Sequence, residues 1–343
     1  MMDTALLIEK FVLVIVVFLI SLGVAAYSTY FERKLAAWIQ DRIGPDRAGP
    51  FGLLQPIADG VKMFMKEDFI PKSSDKWLFI IGPGISMFTA LITSTIIPWG
   101  PPIEIFGRQV SLQIADFNIG ILFIFGVVSI GVYGIMIGGW ASNNKYSLFG
   151  AIRASSQMIS YELAMGISLI TIILMSGSLS LNGIIEKQHG MNWNIFYQPV
   201  CFLVFFICSL AETNRAPFDL PECESELIGG YHTEYTSMKL GLFLFAEYVA
   251  MFISSAVIAI LFFGGYNFPG MDNFSGNTLA ILGILAFLTK TFIFIFIFMW
   301  IRWTIPRFRF DQLMHLGWKT LIPIAIINML ITGVVIAFSK GWF

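Results

Sequence analysis

Six of the chain's 22 acidic residues fall in one short stretch, Ala211–Tyr235, which reads AETNRAPFDLPECESELIGGYHTEY. They are Glu212, Asp219, Glu222, Glu224, Glu226 and Glu234. Asp219 and Glu222 have capping-box spacing, with Asp219 as N-cap. That predicts a short helix running to Leu227 and stopped by Gly229-Gly230. On such a helix Asp219, Glu222 and Glu226 share one face, while Glu224 points roughly the other way. Like charges stacked on one face repel, so the face does not serve helix stability. Either water solvates it, or some of its carboxyls hold protons. The second alternative is acid–base chemistry, in which carboxyls take up and release protons.

More ionisable groups sit inside apolar runs. Tyr161 and Glu162 lie in SSQMISYELAMG, Glu247 follows LFLFA, and Lys290 follows ILAFLT. A charge at membrane depth costs about 2.5–3.5 kcal/mol on insertion scales, so such groups pair or face water. Two readings stand side by side. One is a structural ion pair of Lys290 with Glu247 or Glu162. The other is a proton path, built from buried carboxyls that exchange protons near neutral pH.

The elements that must position these groups follow from composition. Hydrophobic residues make up 57% of the 343, charged residues 13%, and mean hydropathy is +0.77. Soluble domains sit nearer 45–50% apolar and about 25% charged. The chain therefore reads as an all-α, polytopic membrane protein forming a single integral membrane domain, 1–343. A span needs about 20 mostly apolar residues. Eight are expected: 10–31, 77–98, 118–139, 155–176, 197–211, 240–265, 279–301 and 319–339. The stretch Met1–Leu7 has no positive charge, and the apolar run after Lys10 is too long for a signal peptide.

Lys and Arg set the orientation. The loops 32–76, 140–154, 212–239 and 302–318, with their flanks, carry 16 of them, and the opposite side carries 4. The loops rich in positive charge face the cytoplasm, and both termini face out. The acidic stretch is thus cytoplasmic.

The first inner loop contains GLLQPIADGVKMFMKED. After Gly52, Leu53, Leu54, Ile57, Val61, Phe64 and Met65 fall on one helical face, with Asp59, Lys62 and Lys66 elsewhere. Pro56 is tolerable because it lies in the first turn. The pattern fits an amphipathic helix in the membrane interface, or a packing helix with a solvated face.

Several function classes drop out. A net charge of -1 gives no electrostatic case for nucleic acid. Cys201, Cys208 and Cys223 form no CxxC pair, and the three histidines lack metal-ligand spacing, so no metal site is expected. No P-loop, dinucleotide fingerprint or catalytic triad appears. No internal repeat is visible, which weighs against an inverted-repeat transporter.

The motifs resemble, in order, the H subunit of the proton-pumping NADH:quinone oxidoreductase, respiratory complex I. The matching stretches are ERKLAAWIQDRIGPDRAGPFGLLQPIADGVKMFMKED, GWASNNKYSLFGAIRASSQMISYELAMG, AETNRAPFDLPECESELIGGYHTEY, FLFAEY and WIRWTIPRFRFDQLMHLGWK. A small departure is Asp46, where the family more often has Asn. The resemblance implies a membrane-arm subunit of a bacterial inner membrane, at the junction with the peripheral arm. It implies a tunnel through which quinone, the substrate, enters from the lipid bilayer. This chain would hold no redox centre, and NADH, FMN and iron–sulfur clusters would bind partner subunits. By motif position, Arg33, Arg42, Asp59, Lys62 and Phe64 would line or support the tunnel entrance. Arg215, Asp219, Glu222, Glu224 and Glu226 would form an acidic coupling loop. Tyr161, Glu162, Glu212 and Glu247 would continue a chain of ionisable groups into the membrane arm. Lys290 joins Tyr161, Glu162 and Glu247 on the expected intramembrane proton path because of its place in an apolar run. The rival classes are a stand-alone ion-coupled transporter and a structural anchor in a related membrane-bound hydrogenase.

Overall fold

The computed structural model describes residues 4–105, 107–219 and 227–340. In chain order its α-helices are α1 (Thr4–Ile39), α2 (Gln55–Met65), α3 (Lys76–Thr93), α4 (Gly120–Ala141), α5 (Lys145–Ser176) and α6 (Leu181–Lys187). Then come α7 (Asn194–Tyr197), α8 (Pro199–Glu212), α9 (Ser237–Phe263), α10 (Gly276–Thr304), α11 (Phe310–His315) and α12 (Ile322–Ser339). A π-turn, Leu316–Leu321, joins α11 to α12. The described strands, β1 (Ile103–Ile105) and β2 (Arg108–Val110), form one small antiparallel hairpin.

Seven described helices are long and apolar enough to cross a membrane, with 310–339 counted as one. The fold is all-α and polytopic, as composition predicts. The fifth expected span appears as α8, only 14 residues long. At 1.5 Å per residue that is about 21 Å, short of a hydrocarbon layer of about 30 Å. The residue before it is tied inside the bundle: Gln198 donates to Thr332 Oγ1 at 2.8 Å and accepts from Asn328 Nδ2 at 2.9 Å.

Local chemistry sets the helix ends. The Asp75 carboxylate accepts from the Trp77 and Leu78 amides and starts α3, and Asn144 accepts from Tyr146 to start α5. Gly264, at φ 71°, ends α9 in a left-handed cap. The amphipathic helix forms as α2, with Pro56 in its first turn. Phe51, Ile57, Val61, Phe64 and Met65 stay exposed on it and its approach. The first helix continues to Ile39, past the expected span end at 31, so Glu32 and Arg33 stand on a helix rather than in a loop.

Burial places α9 at the centre. Of its most apolar window 61% is buried, against 22% for α1 and for 310–339. The outer helices face their apolar surface away from the bundle. The α3 and α4 backbones approach closely, and a Cβ added at Gly82 would stand 2.9 Å from Gly138 Cα. Small residues allow that approach between membrane helices.

Candidate functional site

Glu32 is a carboxylate held by three side chains. Arg215 Nη1 donates to its Oε2 at 2.7 Å, Tyr248 OH donates to the same oxygen at 2.9 Å, and Arg302 donates to Oε1. The Arg215 guanidinium also lies 3.7 Å from the Tyr248 ring centroid, a cation–π contact. Four elements meet on this carboxylate: α1, the turn after α8, α9 and α10. Burial works against the Arg215 charge, but Tyr248, Glu32 and Glu247 more than offset it and keep the guanidinium protonated. A buried carboxylate of this kind is stable only with such partners.

The neighbouring loop is held the same way. Arg307 Nη2 donates to Asp219 Oδ2 at 3.0 Å, and the Phe308 amide donates to Pro217 O at 3.1 Å. Glu222, Glu224 and Glu226, and the helix expected between Asp219 and Leu227, lie outside the described residues. Just beyond them, burial pushes the His232 imidazole below its usual value, and the Asp219 charge pulls the other way.

The residues assigned to an entrance lie on α1 and α2. Arg33 Nη1 stands 2.8 Å from Asp59 Oδ2, and Lys62 Nζ stands 3.8 Å from Asp59 Oδ1. Phe64 is 72% exposed, so its ring projects from the apolar face of α2. Arg42 is exposed and donates to Gln40. The structure gathers Arg33, Asp59 and Lys62, but it does not bring Arg42 to them.

The intramembrane carboxyls line two adjoining cavities. The first has a volume of about 90 Å³ and is lined by Glu247, Glu212, Thr213, Asn214 and Tyr231, with Ser86, Thr89 and Thr93 of α3 among its other walls. The second has a volume of about 40 Å³ and is lined by Glu162 and Glu212 within apolar walls. A water needs roughly 10–15 Å³, so both cavities have room for water. Glu212, Val128, Ile253 and Ser254 line both cavities. Glu212 is the carboxyl between Glu247 on one side and Glu162 on the other. Tyr231 OH donates to Glu247 Oε1 at 2.9 Å, and Ser129 donates to Glu162.

Lys290 pairs with neither Glu247 nor Glu162, so of the two readings the structural ion pair is not the one found. Its ammonium donates to the carbonyls of Phe263, Gly265 and Asn267 at 2.5–2.9 Å. It also lies 4.9 Å from the Trp193 ring. The free carbonyls at the α9 C-terminus attract a cation. Glu247 stands 16 residues earlier on α9, about 24 Å along the axis. Tyr161 is fully buried and donates to Leu313 O at 2.9 Å. It braces the π-turn region and does not line either cavity.

Among the described residues no three His, Cys, Asp or Glu side chains group as metal ligands. Cys201 and Cys208 are buried and free.

The sequence profile of the family described as NADH dehydrogenase matches residues 11–333. The H subunit of the NADH-quinone oxidoreductase of Flavobacterium psychrophilum is 62% identical over 343 residues, covering 99% of this chain and all of the relative. Its namesake from Flavobacterium johnsoniae is 61% identical, covering 98% of this chain and 97% of the relative. The H subunit numbered 1 in Cytophaga hutchinsonii is 64% identical, with 95% and 96% covered.

The chain belongs to the family of NADH-quinone oxidoreductase H subunits.

For a member of that family, the expected site residues capture part of the geometry. Glu162, Glu212 and Glu247 come together around two cavities, and Arg215 and Asp219 come together in one braced turn. Sequence reasoning missed Glu32, Tyr248, Arg302 and Arg307, which hold that turn. A signal existed for Glu32, an acidic residue at the edge of an apolar run. Its partners lie too far along the H subunit chain for any local pattern to reveal them.

Proposed function

We propose that this chain is the subunit of a bacterial inner-membrane NADH-quinone oxidoreductase that admits quinone and starts proton translocation. Both termini face the outer side. Neighbouring peripheral-arm subunits bind NADH, FMN and iron–sulfur clusters, and further membrane-arm subunits continue the pump. The exposed apolar face of α2, with Phe64 and Met65, forms the lipid-side doorway for quinone. Arg33, Asp59 and Lys62 form its polar edge, and Arg42 lies in the segment that joins α1 to α2.

The observation that carries this reading is Glu212 lining both cavities, between Glu247 and Glu162. A proton-carrying group needs a neighbour within reach and water between. The acidic loop follows Glu212 directly in the chain: Arg215 and Asp219 begin it, and Glu222, Glu224 and Glu226 continue it in sequence. Reduction and protonation of quinone change the charge in its cavity. The loop responds by shifting protonation or position, and Glu247, Glu212 and Glu162 relay the change. Tyr161 supports the Glu162 helix, and Lys290 acts as a helix cap beside the path.

The test is direct. Asp219→Ala and Glu222→Ala complexes should assemble but lose coupled quinone reduction. Normal quinone-dependent turnover and pumping in both would sink the assignment. Copurification separates the rival classes: this chain should bring iron–sulfur partners, whereas a transporter would be active alone. Quinone-competed photolabelling of α2 separates it from a hydrogenase anchor.

A further inference from the structure

Gln157 lies on α5, one turn before Tyr161, and is fully buried. Its Nε2 donates to Ala211 O at 2.8 Å and to Phe218 O at 2.8 Å. Those two carbonyls bracket the turn that carries Glu212 and Arg215, and Asp219 follows directly. The same nitrogen lies 3.5 Å from Asn214 Oδ1, inside that turn. A primary amide has two N–H donors, and both are spent across the two ends of one loop. Its own Oε1 has no hydrogen-bond partner among the described residues. A buried oxygen without a donor is unfavourable. A Leu or Met of similar volume would avoid that oxygen, so volume does not account for an amide here. What the amide supplies is the pair of donors.

The following residues of α5 serve the other inner loop. Ser160 accepts from Trp318 Nε1 at 3.1 Å, and Tyr161 donates to Leu313 O at 2.9 Å. The next residue, Glu162, lines the second cavity. One stretch of α5, 157–162, therefore holds the acidic-loop turn, the π-turn and a cavity carboxyl on a single rigid element.

We infer that Gln157 is a positioning residue that clamps the Ala211–Phe218 turn in register with the part of α5 carrying Glu162. It fixes the spacing from Arg215 and Asp219, through Glu212, to Glu162. Movement or protonation of the loop then reaches Glu162 through α5 instead of being absorbed in a slack turn. This role rests on the carboxyl relay proposed above.

The experiment uses the whole complex in its native membrane. Gln157→Leu keeps the volume and removes both donors. NADH oxidation by a soluble artificial acceptor should be unchanged, while quinone-dependent turnover falls about tenfold, the scale set by a lost buried hydrogen bond. Gln157→Glu can donate only in its protonated form, and then to one of the two carbonyls. Its quinone-dependent turnover, relative to the parent, should recover in part as the pH falls from about 8 to about 6. Either variant decides by its own readout. Parental turnover in Gln157→Leu, or a parental pH profile in Gln157→Glu, overturns the proposal. Loss of assembly in both variants also overturns it, since Gln157 would then be purely architectural. Asp219→Ala, measured in parallel, separates the two levels. If it alone is impaired, only the clamp fails; if it too turns over normally, the relay reading fails with it.

Discussion

Glu32 and Arg215 are 183 residues apart in the chain and 2.7 Å apart in space. The pair joins the first helix to the turn after α8, and Tyr248 and Arg302 bind the same carboxylate. Removing one partner of a buried ion pair leaves an uncompensated charge and costs about 3–5 kcal/mol. Glu32→Ala should therefore lower the thermal stability of the assembled complex more than any other substitution predicted below. In a double-mutant cycle with Arg215→Ala, the two losses should fall short of additive by at least about 0.5 kcal/mol. Strictly additive losses would show that the contact does not organise this region.

Glu212→Gln keeps the shape of the side chain and removes its capacity to carry a proton. With Glu212 lining both cavities, the path between Glu247 and Glu162 should be interrupted. Proton pumping driven by quinone reduction should fall by about a hundredfold, the lower end of general acid–base contributions. Assembly should persist. Vesicle acidification at the parental rate would rule out Glu212 as a carrier.

Lys290 should behave as a structural cation. Lys290→Met leaves three carbonyls near the α9 C-terminus without their donor. The expected loss is about 1–2 kcal/mol of stability, read as a lower melting temperature. Quinone-dependent turnover at ordinary temperature should stay within about twofold of the parent. A large loss of turnover with unchanged stability would return Lys290 to the proton path.

His232 gives a pH dependence. Burial lowers its value below the usual 6.5, and the facing Asp219 charge only partly offsets this. The unfolded chain therefore binds a proton more readily than the folded one. Its contribution to stability is complete above about pH 6.5 and is lost as the pH falls from there through the lowered value. His232→Gln should flatten that acid-side slope. An unchanged slope in thermal unfolding on the acid side of about pH 6.5 would assign it to other groups.

Legibility in the sequence follows the range of the forces involved. The all-α, polytopic membrane character is readable because membrane insertion depends on local runs of apolar residues. The α2 helix is readable from the spacing of Ile57, Val61, Phe64 and Met65, which is a local periodicity. Glu162 and Glu247 stand out because a carboxyl in an apolar run is costly wherever the run goes. Partner choice is not readable. Lys290 and Glu247 are opposite charges in adjoining helices, and charge alone favours pairing them. The helix end takes the lysine instead, because free carbonyls 23–27 residues away are nearer than any carboxylate. Glu32, with Arg302 270 positions later, depends wholly on the three-dimensional arrangement.

The place of Glu212 has an electrical consequence. It is the last residue of α8, whose 14 residues give about 21 Å of helix where a bilayer offers about 30 Å of insulation. A charge crossing the whole potential exchanges about 2.3 kcal/mol per 100 mV. If Glu212 carries protons as proposed above, each proton that reaches it crosses part of that potential, and membrane voltage acts directly on its protonation.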